Sequence, residues 1–499
     1  MMYISTRDNF QAVTATEAIK LGMVPTGGLF VPQNMSTFAE EELKSLIGKT
    51  YQDVAAKVLA FYLDDYSAAE IVTCLKKAYQ DNFTHQEIAP LYRLADSTYI
   101  LELWHGPTAA FKDMALQLMP HLLSLALQKL EVREEMVILV ATSGDTGKAA
   151  LEGFKDVSGL KIVCFYPYQG VSAIQERQMI TTEGENTYVV GVRGNFDDCQ
   201  NTVKTLFGDQ AFRSFLAEKG FVLSSANSIN WGRLLPQIVY YVYAYLNLVH
   251  KGRIKYGEKI NFVVPTGNFG NILAAWYAYR MGLPLHKLIC ASNENKVLTD
   301  FFRTGIYEKN RPFKQTNSPS MDILISSNLE RFLYEMTGRE GTAIATWMSE
   351  LQEKGRFVVD KTVQKAMSEI LWAGFATEKE TLATIKETYL KSSYLLDTHT
   401  AVGMKVYQQY VVETGDKTVT VLDSTASPFK FVASVLQAFD GSDASIEGDE
   451  FALLQELSQK SGWSVHPTLQ GLEKKPILHQ RICAKERIRN ELENILGLR

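Results

Sequence analysis

Asn261-Phe262-Val263-Val264-Pro265 is followed by Thr266-Gly267-Asn268-Phe269-Gly270-Asn271 and then by Ile272-Leu273-Ala274-Ala275-Trp276. The short β-branched and aromatic run reads as a buried strand, and the apolar continuation as the start of a helix. Between them lies a turn with two glycines three residues apart. Such a turn lets several backbone N–H groups converge on one small space, and the helix adds its unpaired N-terminal donors and the positive end of its dipole. One phosphate dianion fits there. A plain strand-to-helix turn that needs glycine for positive φ has the same pattern, and the stretch alone leaves both readings open.

Working outward, the same unit recurs. Val- and Ile-rich runs at 99–103, 136–140, 161–165, 187–190, 221–223, 261–265, 287–291 and 418–422 alternate with helical stretches from residue 99 onward. Alternation of this kind implies crossover connections and an α/β fold with two open twisted sheets flanked by helices. Ligands in such sheets sit beyond the carboxyl ends of the strands, where the strand-to-helix loops converge. Residues 1–95 lack this rhythm and read as a mainly helical N-terminal domain, with helical spacing over 40–47, 51–63 and 68–78. The expected division is therefore 1–95, a first α/β domain over 96–255 and a second over 256–499. The second carries a helical insertion at about 326–395 and helices in the tail. The apolar stretch 234–249 is interrupted by Pro236, Gln237 and Asn247 and reads as a buried core helix, since a membrane span needs about 20 apolar residues.

Two further loops carry chemistry. After the strand 136–140 comes Ala141-Thr142-Ser143-Gly144-Asp145-Thr146-Gly147-Lys148. A nucleotide P-loop would need glycine at 142 and a hydroxyl at 149, where Thr142 and Ala149 stand, so both tests fail. A small-residue turn with hydroxyls at a helix start remains, suited to gripping a carboxylate or phosphate and equally to N-capping by Thr146 or Asp145. The other loop is Trp104-His105-Gly106-Pro107-Thr108-Ala109-Ala110-Phe111-Lys112-Asp113, ahead of an apolar helix that Pro120 is placed to kink. Lys112 enters that buried helix at its N-terminus. Desolvation and the helix dipole both disfavour an ammonium there, so its amine is expected to be nucleophilic. A reactive amine, a phosphate cradle and an anion-gripping loop in one α/β chain point to pyridoxal phosphate, which needs a lysine for its aldehyde and a nest for its one phosphate.

These residues resemble a known family. His105-Gly106-Pro107-Thr108 through Phe111-Lys112-Asp113 is similar to the cofactor-lysine motif of threonine synthase, a fold-type-II pyridoxal-phosphate enzyme. The stretches 141–147 and 267–271 resemble its other two motifs. Similarity extends to 21–32, 194–200, 227–237, 397–403 and 424–431, in order, and favours the longer form with an N-terminal domain. Ala109 and Ala110 depart from the usual bulkier residue, and Ser427-Pro428-Phe429 varies the segment after Thr425.

The resemblance implies that Lys112 bonds the cofactor and later moves protons. It implies that Gly267, Asn268, Phe269, Gly270 and Asn271 hold the cofactor phosphate, and that Thr425 offers its hydroxyl to the pyridine nitrogen. Ser143, Gly144, Asp145 and Thr146 would grip the substrate carboxylate. Lys148, Asn227, Ser228, Asn230 and Arg233 are candidates for the substrate's own phosphate, with an ion pair as the competing reading of Arg233. The implied reaction turns O-phospho-L-homoserine and water into L-threonine and phosphate, the last step of threonine biosynthesis. The nearest alternative is a related dehydratase or phospholyase that releases an α-keto acid; a non-catalytic sensor of a phosphorylated ligand is the rival from another class.

Composition narrows the partners. The 499 residues are 46% hydrophobic and 21% charged, and 51 basic against 56 acidic residues give a net charge of −5. No basic stripe for nucleic acid is present. Five scattered cysteines without a CxxC pair read as reduced buried thiols. The first ten residues have no charged-then-apolar leader pattern. A cytoplasmic enzyme without a metal site, monomeric or homodimeric, is expected. His399 and His105 read as hydrogen-bonded structural histidines, Asp197 and Asp198 as helix-start charges, and Tyr240, Tyr241, Tyr243 and Tyr245 as helix packing.

Overall fold

In the computed structural model, which describes every residue except 143, 442–445 and 447 and leaves the side chain of Asp197 outside the described atoms, the strand Ile260–Pro265 is buried throughout and lies in the middle of a six-stranded sheet. Thr98–Glu102, Leu285–Ser292, Leu371–Phe375 and Thr420–Ser424 join it in parallel, and Leu91–Ala95 adds an antiparallel edge. A second, wholly parallel sheet holds Arg481–Ala484, Thr187–Arg193, Leu160–Pro167, Glu135–Ala141 and Phe221–Ser224, in that order. Strands buried on both faces carry continuous apolar runs such as Met136-Val137-Ile138-Leu139-Val140.

All eight strands expected from the sequence are present, but the sheets cut across the expected division of the chain. Thr98–Glu102, which falls inside 96–255, pairs with Thr420–Ser424 of the other half. The tail strand Arg481–Ala484 returns to pair with Thr187–Arg193. Leu371–Phe375 lies inside the expected insertion 326–395, yet it forms the edge of the large sheet beside Leu285–Ser292. Which strand pairs with which is set by long-range packing, and a burial pattern carries no information about the partner's identity.

Residues 1–95 are mainly helical, with Ala15–Leu21, Glu40–Ser45, Tyr51–Tyr62 and Ala68–Tyr79, plus a small ribbon of Tyr3–Ser5 on Phe30–Pro32. Thr14, Thr50 and Ser67 close capping boxes with Glu17, Asp53 and Glu70, which explains these helix starts. The helix Trp231–His250 is the buried axis of the protein, packed on Tyr51–Tyr62 and on Gly270–Arg280. No described helix is long and apolar enough to cross a membrane. Near Pro120 the expected single helix is two, Asp113–Leu116 and Met119–Lys129, with the proline in the first turn of the second, where its missing N–H costs nothing. Asn195 and Asp198 form a capping box at the start of Phe196–Gly208, and all five cysteines are free and buried.

Candidate active site

Three strand-to-helix loops meet around Lys112. The loop carrying it is fixed by Asp113, whose buried carboxylate accepts from the Thr108 N–H at 2.8 Å and the Thr108 hydroxyl at 2.7 Å. Burial pushes the Asp113 carboxyl up to about 7. Thr425 joins the same loop, its carbonyl accepting from the Phe111 N–H at 2.8 Å. Lys112 caps the short helix Asp113–Leu116, and its amine donates to the Ser320 hydroxyl at 3.3 Å. Removal from water brings the Lys112 amine down to about 8, against the pull of Asp145 and with the push of Lys430 and Arg233. An amine in that range is a competent nucleophile near neutral pH.

The loop after Glu135–Ala141 turns on Thr142, whose hydroxyl accepts from the N–H groups of Gly144 and Gly147, both at 3.0 Å. Gly144 has φ +146°, and a Cβ there would lie 2.5 Å from the Gln175 amide, so no other residue fits. The N–H groups of Asp145 and Thr146, at the head of the helix Asp145–Phe154, donate to nothing among the described residues, and the Thr146 hydroxyl is free in the same sense. These groups can take a carboxylate. The Asp145 side chain cannot: it accepts from the Lys430 ammonium at 2.7 Å and from Gln175 at 3.1 Å. Burial alone would raise that carboxyl, but Lys430 and Lys112 hold it well below the usual carboxylate range. Ser143, expected here, lies outside the described residues.

The glycine turn after Ile260–Pro265 is a nest. Phe269 takes a left-handed conformation at φ 65° and caps Gly270–Arg280 without a side-chain bond. The carbonyls of Gly267 and Asn268 are held by the Ser326 hydroxyl at 2.8 Å and the Asn328 N–H at 3.1 Å. The N–H groups of residues 267–271 have no acceptor among the described residues. Successive free N–H groups at a helix start bind an anion. Gly267 must lack a side chain, since a Cβ would meet the Ser320 carbonyl at 2.7 Å. The Asn271 side chain faces away from an anion: its Oδ1 accepts from the Tyr240 and Tyr241 hydroxyls, and its Nδ2 donates to Asp423 at 3.2 Å. Only its backbone N–H is left for the cradle.

Of the substrate-phosphate candidates, Arg233 stands out. It is 4% exposed, donates to the Ala226 carbonyl at 2.6 Å, leaves Nε without a partner, and has no carboxylate beside it among the described residues. Burial lowers its guanidinium to about 10. Among the described residues, then, Arg233 forms no ion pair. Lys148, in contrast, is already paired: its ammonium sits 2.7 Å from Glu152 and 3.0 Å from the Thr182 hydroxyl. Asn230 is occupied too, capping Trp231–His250 through Gly232 at 2.8 Å and holding the Ile19 carbonyl at 3.0 Å. Ser228 receives Asn328 at its carbonyl at 3.2 Å, and the Asn227 side chain is exposed at the head of the same helix.

Lys430 and Ser320 were missing from the sequence reading. The first lay within the family-like stretch 424–431 and could have been marked as a cation next to Thr425. The second carries no local signal. His105 bonds Glu102 at 2.8 Å and stacks on Trp104, and His399 bonds Asp397 at 3.1 Å, so both histidines are hydrogen-bonded as expected.

Comparison with known proteins gives the family. The sequence model of the family described as "Threonine synthase N terminus" matches residues 2–79, and that of "Pyridoxal-phosphate dependent enzyme" matches residues 84–424. Human threonine synthase-like 1 is 44% identical over 455 residues, 87% of this chain and 60% of that protein, so the chain spans about 60% of that relative's length. Threonine synthase of Pseudomonas aeruginosa is 39% identical over 439 residues, covering 88% and 90%. The crystal structure of pyridoxal-phosphate-bound threonine synthase from Brucella melitensis is 36% identical and superposes with a TM-score of 0.89 over 100% of this chain and 99% of that one. Fold and site thus define a fold-type-II pyridoxal-phosphate enzyme. This chain belongs to the threonine synthase family. A buried low-pKa amine, an N–H nest and a Thr425 hydroxyl without a partner among the described residues fit that cofactor's aldehyde, phosphate and ring nitrogen.

Proposed function

We propose that the protein is a threonine synthase, converting O-phospho-L-homoserine and water to L-threonine and phosphate. The observation that carries this reading is the buried guanidinium of Arg233, which has no counterion among the described residues. Three anions need receivers in such a site. The nest at 267–271 suits the cofactor phosphate, and the helix start at Asp145 and Thr146 suits the substrate carboxylate. Lys430 is already neutralised by Asp145. Arg233 is left for a third anion, and a buried charge without a partner is costly enough to call for one. A dehydratase acting on serine or threonine supplies no third anion; a phosphorylated amino acid does.

Pyridoxal phosphate, when bound, supplies an aldehyde for the lysine amine and an electron sink for the substrate carbanion. Lys112 is the residue whose amine would hold that aldehyde, and the nest at 267–271 would hold its phosphate. The freed amine is placed to remove the Cα proton and to help remove one from Cβ, since its lowered pKa leaves far more of it neutral near pH 7 to 8 than an ordinary lysine has. The Asp145 and Thr146 N–H groups orient the substrate through its carboxylate. Arg233 takes the growing charge on the phosphate as it leaves Cγ. Thr425 offers a hydroxyl to the ring nitrogen, which holds a proton there less firmly than a carboxylate would.

The test is product analysis. Purified protein loaded with cofactor and given O-phospho-L-homoserine should release threonine and phosphate in equal amounts. Phosphate with an α-keto acid in place of threonine would move the protein to the phospholyases, and turnover of threonine or serine alone to the dehydratases.

A further inference from the structure

We infer that Ser320 is the docking partner of the Lys112 amine whenever that amine is not bonded to the cofactor, and that His399 is a positioning residue that holds Ser320 in place. The inference rests on Lys112 being the cofactor lysine.

The bond from Lys112 Nζ to Ser320 Oγ, 3.3 Å, is the only hydrogen bond the amine makes among the described residues. Around the amine stand Asp145, Lys430, Arg233 and Asp113, all of which act on it through space. None of the four hydrogen-bonds it among the described residues. The Ser320 hydroxyl in turn has no other partner among them. Its backbone N–H donates to His399 Nε2 at 3.1 Å. Because Nε2 accepts that N–H, the imidazole proton is on Nδ1, which faces Asp397 Oδ1 at 3.1 Å. Asp397 is fully buried and caps the helix Thr398–Thr414 through the N–H groups of His399 and Thr400. The Thr400 hydroxyl bonds Asp397 and receives the Thr425 N–H at 3.3 Å. A chain of contacts thus runs from the Thr425 backbone through Asp397 and His399 to Ser320 and the reactive amine.

The arm that carries Ser320 is rigid. Asp322 accepts from the Thr316 N–H at 2.9 Å, the Thr316 hydroxyl at 2.7 Å, Asn293 at 2.8 Å and Asn295 at 2.9 Å. Asn317 is pinned by Glu378 at 2.7 Å and by Ser434 at 2.9 Å. The Ser320 carbonyl rests against Gly267, so the arm touches the nest as well as the lysine. A hydroxyl fixed at that point gives the released amine one address near the reacting carbons, in place of the several rotamers of a free lysine. No bond breaks at Ser320: its oxygen accepts an N–H from the amine before and after the amine takes a proton, and the transferred proton stays on Nζ.

The test uses cofactor-free, full-length protein and acetic anhydride as the amine probe, with acetylation of Lys112 read by peptide mass from pH 6 to 10. Exposed Lys417 serves as the internal reference, and circular dichroism confirms folding. Wild type should show a midpoint near about 8. In Ser320→Ala the ammonium loses its acceptor in a desolvated site, so the midpoint should fall by about one pH unit. Ser320→Thr should keep the wild-type midpoint. His399→Ala should follow Ser320→Ala, and His399→Gln, whose amide oxygen can reach the place of Nε2, should restore the wild-type value. If Ser320→Ala does not fold, Ser320→Cys keeps the volume with a weaker acceptor and should give a smaller fall. An unmoved midpoint in folded Ser320→Ala or Ser320→Cys overturns the docking role, and an unmoved midpoint in His399→Ala overturns the positioning role. A cofactor absorbance band that survives Lys112→Ala would instead overturn the reading on which the inference rests.

Discussion

The ammonium of Lys430 lies 2.7 Å from the carboxylate of Asp145, with the two side chains 0% and 4% exposed. One partner follows the strand Thr420–Ser424 of the large sheet, and the other opens the helix after Glu135–Ala141 of the small one. The pair therefore ties the two sheets together at the point where Lys112 stands, and it also donates to the Thr108 carbonyl of the lysine loop at 2.9 Å.

Removing either partner leaves an unpaired buried charge. Lys430→Met and Asp145→Asn should each lower unfolding free energy by about 3–5 kcal/mol. The double variant should lose clearly less than the sum, because the two side chains share one interaction. Denaturant melts of the four proteins check this; simple additivity would mean the pair is not coupled.

Arg233 should show the opposite sign in stability. Arg233→Met removes a buried charge that has no counterion among the described residues, so cofactor-free protein should melt at an equal or higher temperature. The same change should raise KM for O-phospho-L-homoserine at least about tenfold, a loss of about 1.4 kcal/mol. Calorimetry and steady-state kinetics on one preparation read both effects. Unchanged KM would remove Arg233 from the phosphate site.

Gly267 and Gly270 separate steric from conformational demands, since neither has a positive φ. A Cβ on Gly267 would be 2.7 Å from the Ser320 carbonyl, whereas one on Gly270 would be 3.4 Å from the Asn328 amide. Gly267→Ala should weaken cofactor binding at least about tenfold and Gly270→Ala much less, as a backbone atom cannot yield like a side-chain end. Titration of cofactor-free protein followed by absorbance gives both constants.

The rate at which cofactor-free protein captures pyridoxal phosphate should depend on pH through Lys112. Desolvation sets the amine near about 8, with Asp145 opposing and Lys430 and Arg233 assisting. The ammonium cannot attack, so the rate should rise about tenfold per pH unit below that value and level off above it. Asp145→Asn removes the opposing charge and should move the midpoint downward. Stopped-flow capture from pH 6 to 10 measures it.

Much of this site was legible in the sequence because it lies in loops whose chemistry is local. Gly267 and Gly270 announced the nest, and Lys112 announced itself by entering an apolar helix. Arg233 could be marked as a cation, but not as one lacking a counterion, because that depends on what the rest of the fold leaves out of reach. Lys148 looked equivalent until the fold put Glu152 one turn away on the same helix. Ser320 is 208 residues from Lys112 and reaches it only through an arm whose clamps, Asn293, Asn295 and Glu378, come from other elements. The sheet order was hidden for the same reason: Thr98–Glu102 is 322 residues from its partner Thr420 at the matching register position, and no local pattern encodes that pairing.

The Lys112 amine can be trapped directly. Holoenzyme treated with sodium borohydride and digested should yield a single peptide carrying the reduced cofactor, with the added mass on Lys112, and the absorbance band should vanish in Lys112→Ala. Added mass on any other lysine, or none on a protein that has been incubated with cofactor, would contradict the account.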